Sequence, residues 1–382
     1  MHTRDLSANS PYVPGRGSEE VARELGMDPA DLVKLSSNEN PHGPSPAAVE
    51  AIQETAPNVD VYPTTAHADL TERLADDWGL DPAQVWLSPG ADGALDYLSR
   101  AMLDPGDRVL CPTPGFSYYP MTARYHHGTV AEYELSKADD FAQTAEVVLD
   151  AYDGERLVYL TTPHNPAGTE FAREEITAIA DAVADHTLLV VDEAYGEYSE
   201  RPSSVGLLDD YDNVAVTRTF SKAFGLAGLR VGWAAVPESW ADAYARVNTP
   251  FATNEVACRA GLAALDDDDH VEKTVETASW AREYLYDELD APTFESAGNF
   301  VLAEVGDAEA VAEASQRAGV IVRDCSSFGL PQCIRISCGT RDDTRRAVET
   351  LNEVLADLDA ATPTESDEKS AETDTESEVV PE

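Results

Sequence analysis

The chain has 382 residues, with 72 acidic side chains against 26 basic ones and a formal net charge of −46. Such a surface repels nucleic-acid phosphates and anionic membranes, which argues against binding to either. Apolar residues still make up 43% of the chain and recur along it, which excludes a disordered acidic polymer and indicates adaptation to concentrated salt.

No signal peptide and no apolar segment of about 18 residues is found, so we expect a soluble, cytoplasmic protein. The odd count of five cysteines then predicts free thiols. Cys333 and Cys338 do not have the spacing of a zinc knuckle, and the histidines show no helical pairing. We therefore expect no metal site.

Residues 1–46 are predicted to form an irregular arm that also contributes to a small domain. SEEVARELG predicts a short helix that ends at Gly26. LVKLSSNENPHGPSP predicts the start of a strand followed by a long Asn/Pro/Gly loop. Helices are predicted over 47–56 and 67–78, with Tyr62 in the loop between them.

Residues 47–250 are predicted to form a large α/β domain. From Val85 onward, short apolar segments such as VWLSPG, RLVYLTTP, TLLVVDEAY and NVAVTRTF alternate with helical ones. This alternation predicts a mostly parallel sheet, and runs like LLVV predict strands that are buried on both faces. Sites in such sheets lie at the carboxyl ends of the strands.

Residues 251–360 are predicted to form a smaller α+β domain. Helices over 254–265, 270–289 and 341–358 accompany the strand-like segments FVLAEV, VIVRD and CIRIS. The Ser/Thr/Glu/Asp-rich residues 361–382 are predicted to be disordered, and we assign them no function.

Lys222 is one of only five lysines, and within the segment TRTFSKAFGLAGLRVG it lies in a Ser/Ala/Gly/Phe-rich loop that has no other charged residue. Burial penalises the charged amine, so a lysine in such a place is a candidate for forming a Schiff base. A Ser-Lys pair by itself is more often part of an exposed loop. The interpretation therefore depends on the residues that end the other strands.

Polar groups follow several of these strands. The turn SPGADGAL opens a helix, so the backbone amides of residues 90–92 can bind a phosphate. In TTPHNPAGT the neighbouring Pro and Gly hold Asn165, whose amide can donate a hydrogen bond. Asp192 ends an apolar strand, where a buried carboxylate needs a partner, and Tyr195 follows one helical turn later.

Together with Lys222 and Arg230, these groups are the ones that pyridoxal phosphate requires. A carboxylate keeps the pyridine nitrogen protonated, so that the ring can accept electrons. An amide and a phenol hydrogen-bond the ring hydroxyl, the lysine forms the imine, and a guanidinium fork binds the phosphate.

With these motifs in this order, residues 10–358 resemble the fold type I pyridoxal-phosphate aminotransferases, and within them the histidinol-phosphate aminotransferases. The resemblance implies a large, mostly parallel-sheet α/β domain, a smaller α+β domain and a homodimer. It implies that Lys222 forms the Schiff base and moves a proton, and that Asp192 pairs with the pyridine nitrogen. The further cofactor-binding residues that it implies are Asn165 and Tyr195 for the ring hydroxyl, Gly90, Ala91, Asp92, Thr219, Ser221 and Arg230 for the phosphate, Phe116 stacked on the ring, and Tyr62 reaching across to the partner subunit's cofactor.

The chain departs from the family's NPNNPTG string, because His164 and Ala167 replace an Asn and a Thr. The functional amide in that string is the second Asn, which is Asn165 here, so its implied role is retained.

The resemblance also implies a substrate site. Arg335 in CIRIS matches the arginine that receives the distal anion of the substrate, and Asn299 in GNF matches a residue on the substrate side. A guanidinium fork fits a carboxylate and a phosphate equally well, so Arg335 does not decide between them. Arg323 in VIVRD and Tyr12 in SPYVPG favour a phosphate.

The resemblance thus implies transfer of an amino group between L-histidinol phosphate, or its ketone, and 2-oxoglutarate or glutamate in histidine biosynthesis. A threonine-phosphate decarboxylase has the same layout, and an aromatic or neutral amino-acid aminotransferase is a further alternative. A non-catalytic regulator that binds pyridoxal phosphate would need a DNA-binding module, but the chain has neither a basic patch nor a spare domain.

Overall fold

The structure is a computed structural model that describes residues 2–3, 6–9, 11–63 and 65–361. The predicted acidic tail from residue 362 onward lies outside these residues. The strands are β1 (Val33–Lys34), β2 (Val85–Ser88), β3 (Arg108–Thr113), β4 (Thr129–Glu134), β5 (Leu157–Thr161), β6 (Leu188–Asp192), β7 (Val214–Thr219), β8 (Gly232–Ala235), β9 (Phe300–Glu304), β10 (Val320–Ile321), β11 (Arg323–Asp324) and β12 (Cys333–Ser337).

α-Helices connect and flank these strands. They are α1 (Ser18–Leu25), α2 (Pro46–Thr55), α3 (Thr65–Trp78), α4 (Gly90–Met102), α5 (Tyr118–Tyr125), α6 (Ala145–Ala151), α7 (Arg173–Ala182), α8 (Tyr244–Val247), α9 (Glu255–Leu265), α10 (Asp268–Glu288), α11 (Ala308–Arg317) and α12 (Arg341–Ala361). No helix among the described residues is long and apolar enough to cross a bilayer.

A seven-stranded sheet forms the centre of the fold, in the order β2-β8-β7-β6-β5-β3-β4. β8 runs antiparallel to β2 and β7, whereas the neighbours from β7 to β4 pair in parallel. The predicted α/β class with a mostly parallel sheet is therefore confirmed.

The two faces of this sheet pack into separate cores, as the apolar runs predict. In β6, Leu188 and Val190 enter one core, whereas Leu189 and Val191 enter the other. Since successive side chains of a strand point to opposite faces, a strand that is covered on both sides must be apolar at every position. Asp192, which ends this apolar run, is therefore buried with it.

Two small sheets lie beyond the central one. β9, β12 and β11 form an antiparallel sheet, and β1 from the N-terminal arm pairs in parallel with β10. Their core includes apolar residues of α10, α11 and α12. This is the α+β arrangement expected for the C-terminal part of the chain, while the domain boundaries remain a prediction.

The sequence pattern did not predict α5 or α6. The α5 sequence YYPMTARY contains three tyrosines and a proline, which are poor helix formers. Tyr119 and Ala123 of α5 are nevertheless buried in the core between α4 and the sheet. Packing against the core, rather than local propensity, therefore accounts for this helix.

The loop after β7 meets the N-terminal segment at a point where only glycine fits. Gly225 has φ +69°, and a Cβ added there would lie 2.1 Å from the carbonyl oxygen of Gly43. Both the backbone conformation and the close approach exclude a side chain.

We expect Gly225→Ala to lower the free energy of unfolding by about 3 kcal/mol or more, because the contact is with backbone and cannot be relieved by rotating a side chain. Gly228→Ala is the matched control: its added Cβ would meet no atom within 4 Å. That change should stay within about 0.5 kcal/mol. Chemical denaturation in concentrated salt measures both, and equal stabilities of the two variants would contradict the prediction.

Candidate active site

The carboxyl ends of β5, β6 and β7 bring the predicted site residues to one edge of the central sheet. In the strand register Thr161 pairs with Asp192, and Asp192 pairs with Thr217. The loops that follow these strands carry Asn165, Tyr195 and Lys222, so the sheet itself places three distant segments next to one another.

Asp192 is buried, with 3% of its surface exposed. The Tyr119 hydroxyl donates to its Oδ2 at 2.7 Å and the Ala194 amide donates to its Oδ1 at 3.0 Å. Burial outweighs these hydrogen bonds and raises the pKa of Asp192 to about 6. A cationic group bound beside the carboxylate would favour its ionised form, so this residue is suited to pair with a protonated ring nitrogen.

Lys222 and Tyr195 lie close together. The Nζ of Lys222 donates to the carbonyl oxygen of Ser37 at 3.3 Å and lies 5.5 Å from the centroid of the Tyr195 ring. Tyr195 is buried, and its phenol oxygen accepts a hydrogen bond from Nδ2 of Asn38 at 3.0 Å. The structure thus brings together the predicted amine and the predicted phenol.

The predicted phosphate-binding residues meet at the start of α4. Arg230 donates to Oγ of Ser221 at 3.3 Å and to Oδ2 of Asp92 at 3.1 Å. Thr219 accepts from the Ser221 amide at 3.1 Å. A Cβ on Gly90 would lie 2.3 Å from Nη2 of Arg230, so the glycine is what admits the guanidinium.

The N-terminus of α4 has no side-chain cap from the preceding Pro89. The first-turn amides of Gly90, Ala91 and Asp92 therefore lack acceptors within the helix, and the helix dipole is positive at this end. Uncapped amides beside the guanidinium of Arg230 fit a phosphate group.

Arg335 lies on β12 with 5% of its surface exposed. Its Nη1 donates to Oδ1 of Asn165, and its Nη2 donates to the carbonyl oxygen of Ser36 at 3.2 Å. Because Oδ1 of Asn165 accepts this bond, its amide nitrogen is the group that remains to donate. The Nε of Arg335 is buried without a hydrogen-bond partner among the described residues, which marks a place for an acceptor.

Arg323 lies opposite Arg335 in the register of β11 and β12. Its Nη1 donates to the carbonyl oxygen of Pro14 at 2.6 Å, and its Nη2 donates to that of Val13 at 2.8 Å and to Oγ of Ser327 at 2.9 Å. Burial, followed by repulsion from Arg335, lowers the pKa of Arg323. Its fork thus holds the N-terminal arm, which the sequence did not indicate.

The arm brings Tyr12 to the site. The Tyr12 ring meets the Phe116 ring edge-on, with centroids 6.2 Å apart, and Phe116 in turn contacts the ring of Tyr119. Burial, followed by the nearby Tyr195, raises the pKa of Tyr12. Tyr12 and Phe116 therefore flank the same site as Tyr195.

Two predicted site residues, Asn299 and Tyr62, lie outside the cluster that the others form. Asn299 is buried and donates from Nδ2 to the carbonyl oxygen of Asn38 at 3.0 Å, so it supports the loop next to the site. Tyr62 is 74% exposed, and its ring stacks on Phe251 with centroids 4.4 Å apart.

The loop over residues 36–40 was not among the predicted site residues. Besides Ser36, Ser37 and Asn38, this loop contributes Asn40, whose Nδ2 donates to the carbonyl oxygen of Ala223 at 2.8 Å. The available signal was a run of short polar residues between a strand and a proline, which is common in ordinary turns. Tyr119 was also missed, because it lies on the unpredicted helix α5.

Comparison with known proteins places these residues in context. A sequence model of the family described as Aminotransferase class I and II matches residues 30–351. The histidinol-phosphate aminotransferase of Haloferax volcanii is 71% identical over 361 residues, which cover 94% of this chain and 100% of that protein. The one from Methanosarcina barkeri is 39% identical, covering 89% of this chain and 93% of that protein.

Solved structures of aminotransferases have the same fold. The histidinol-phosphate aminotransferase of Sinorhizobium meliloti in complex with pyridoxal-5'-phosphate superposes with a TM-score of 0.84 at 28% identity, covering 94% of this chain and 99% of that one. An aspartate aminotransferase from Thermus thermophilus with maleate gives 0.79 at 25% identity, covering 93% and 99%.

The raised pKa of Asp192 predicts a pH-dependent stability. An acid whose folded pKa is raised from 3.8 to about 6 loses stabilising free energy as pH rises between those values. Asp192→Asn should therefore gain stability relative to the parent over this window, by about 3 kcal/mol in total, and level off above it. Cofactor-free protein is unfolded by denaturant in concentrated salt at each pH. Asp209→Asn, at an exposed carboxylate, is the control, and a pH-independent difference for Asp192→Asn would refute the prediction.

Proposed function

The chain belongs to the class I and II aminotransferase family, and we propose that it transfers an amino group between L-histidinol phosphate, or its ketone, and 2-oxoglutarate or glutamate. The step belongs to histidine biosynthesis, and we place it in the cytoplasm. Similarity to histidinol-phosphate aminotransferases over 94% of the chain supports this activity. The observation that carries an anionic substrate group is the buried Arg335, whose Nε lacks a partner among the described residues. The fork of its strand neighbour Arg323 is occupied by the N-terminal arm.

Pyridoxal 5'-phosphate is the cofactor that these residues fit. When bound, it withdraws electrons from the carbon that carries the amino group, which makes that carbon acidic. Asp192 would keep the ring nitrogen protonated, and the amide of Asn165 and the phenol of Tyr195 would donate to the ring hydroxyl. Phe116 would cover one face of the ring.

The phosphate end would bind at the start of α4. The backbone amides of Gly90, Ala91 and Asp92 would donate to it there, together with the hydroxyls of Thr219 and Ser221 and the guanidinium of Arg230. Asp92 must then share Arg230 with the phosphate. Because the Asp92–Arg230 pair is about half-exposed, little desolvation cost opposes a shift of the guanidinium towards a dianion.

Lys222 would hold the cofactor covalently through Nζ and, once the substrate has displaced it, would carry the proton from one reacting carbon to the other. The carbonyl of Ser37 orients Nζ, and the Tyr195 ring lies on the same side of the amine.

Substitution of Arg335 tests which substrate class binds. Its loss removes charge-assisted hydrogen bonds from the substrate phosphate, so Arg335→Ala should reduce kcat/KM for histidinol phosphate roughly 10- to 100-fold. Unphosphorylated histidinol, which has no anion, should lose far less. The exposed Arg317→Ala is the control.

Single-turnover half-reactions with each amino donor keep glutamate, which competes for the same pocket, out of the measurement. Cofactor affinity is measured in parallel, because Arg335 also holds Asn165. Equal losses for histidinol phosphate and for histidinol would contradict the phosphate role. Release of carbon dioxide from threonine phosphate by the unmodified protein would instead favour the decarboxylase.

We further propose a homodimer in which Tyr62 reaches the other subunit's cofactor phosphate. Val59, Val61, Tyr62 and Phe251 are each more than half exposed in the single chain, at 66, 61, 74 and 52%. Exposed aromatic and aliphatic side chains of this kind are typical of a surface that another chain covers. The stacked Tyr62–Phe251 pair would lie within that interface.

A mixture of Tyr62→Ala and Lys222→Ala chains tests this arrangement. Each hybrid dimer contains one intact site, so random mixing should regain about a quarter of the unmodified activity. Mixing Arg335→Ala with Lys222→Ala is the control and should regain nothing, if both residues act within their own chain. Recovery in neither mixture, or a fully active monomer in sedimentation, would rule out a shared site.

A further inference from the structure

Asn38 occupies an unusual position next to the site. It lies in the loop between β1 and α2, 1% of its surface is exposed, and its φ is +53°. This left-handed region is sparsely used by residues with a side chain, although Asn tolerates it better than most. A buried polar residue held there must be stabilised by its neighbours.

Asn38 is hydrogen-bonded to three separate segments. Its backbone amide donates to Oγ of Ser337 at 2.8 Å, and Oγ of Ser337 donates to Oδ1 of Asn38 at 2.9 Å. Its Nδ2 donates to the phenol oxygen of Tyr195 at 3.0 Å, and its carbonyl oxygen accepts from Asn299 at 3.0 Å. Both ends of its side chain are therefore bonded to specific partners.

The direction of these hydrogen bonds follows from the backbone. A backbone N–H can only donate, so Oγ of Ser337 accepts from Asn38 and must direct its own proton elsewhere. That proton goes to Oδ1 of Asn38, which assigns the amide orientation and places Nδ2 against Tyr195. Because Nδ2 is only a donor, the phenol proton of Tyr195 cannot point at Asn38.

The anchor of this chain of hydrogen bonds is rigid. Ser337 lies at the end of β12, two residues after Arg335 and on the same face of the strand. All three members, Ser337, Asn38 and Tyr195, are buried. Reorienting any one of them would leave a buried polar group unpaired, which is unfavourable.

We propose that Asn38 is a positioning residue that makes Tyr195 a one-way hydrogen-bond donor towards the ring hydroxyl of the cofactor. This rests on the proposed function, since Tyr195 matters in this way only if the cofactor binds beside it. Donation from Nδ2 to the phenol oxygen also polarises the phenol and makes it a stronger donor. In the bound cofactor an ionisable proton lies beside the ring oxygen. A stronger hydrogen bond to that oxygen lowers the pKa of this proton.

Other ionisable groups surround Tyr195 and are present in all variants that test the proposal. Lys222 lies over its ring, Tyr12 and Tyr198 are within electrostatic reach, and Cys338 packs in the same buried cluster. A change in the pH titration of the bound cofactor must therefore be shown to depend on the Tyr195 phenol.

Asn38→Asp provides the test, because it keeps the shape but replaces the donor Nδ2 by an acceptor. The phenol would then donate to the introduced carboxylate and present a lone pair to the ring oxygen. The absorbance of the bound cofactor as a function of pH should shift its midpoint upward by about one pH unit or more. In the Tyr195→Phe background the same substitution should shift it several-fold less.

An equal shift in both backgrounds would mean that the new charge acts directly, and no shift would mean that the phenol is not directed by Asn38. Either result overturns the proposal. Asn38→Gly, which accepts the positive φ and removes the amide, should give a smaller upward shift that also depends on Tyr195.

A second measurement separates this inference from the proposed function. In cofactor-free protein, the losses of thermal stability caused by Asn38→Gly and Tyr195→Phe should be less than additive, because both remove the same hydrogen bond. Additive losses overturn the positioning role. Failure of the unmodified protein to bind pyridoxal phosphate, with the losses still less than additive, would refute the proposed function and leave the Asn38–Tyr195 bond standing.

Discussion

The burial of Asp192 at the end of an apolar strand is the constraint on which the site depends. A carboxylate there is unfavourable unless donors surround it, and Tyr119 and the Ala194 amide supply them from two other segments. Even so, burial keeps its pKa near 6. The fold thus holds a group whose charge is fully stabilised only when a cation lies beside it, which is the property that a binder of a protonated ring needs.

The next residue, Glu193, forms a buried ion pair with Arg218 at the same edge of the sheet. Arg218 of β7 donates to Oε2 of Glu193 and to Oε1 of Glu197, both at 2.7 Å, and its guanidinium lies 4.6 Å from the Trp78 ring centroid. All three charged groups are nearly buried. Glu193 and Glu197 lie on either side of Tyr195 in the same loop, so removing Arg218 would leave two largely buried carboxylates without a counter-charge and loosen that loop.

The sequence predicted the parts of this site that follow from local pattern. Asp192 ends a fully apolar run, and Gly90 opens a helix after a strand. Both could therefore be predicted from their positions at the ends of strands. Asn38, Tyr119 and Ser337 carry no such local signal, because their partners lie far away: Asn38 is 157 residues from Tyr195 and 299 from Ser337. Arg323 shows a different limit, since a guanidinium fork donates to backbone carbonyls as readily as to phosphates, and the sequence could not indicate that the arm would lie against it.

The site must bind anions on a chain with a net charge of −46. At long range this charge repels a phosphorylated substrate, but concentrated salt shortens the reach of that repulsion to about 3 Å at 1 M. Contacts inside a buried site are screened much less. Arg335 is 5% exposed, so its attraction for a bound anion acts at contact distance, where salt has little access. An acidic surface and a cationic site are therefore compatible, because salt removes the long-range repulsion and spares the short-range attraction.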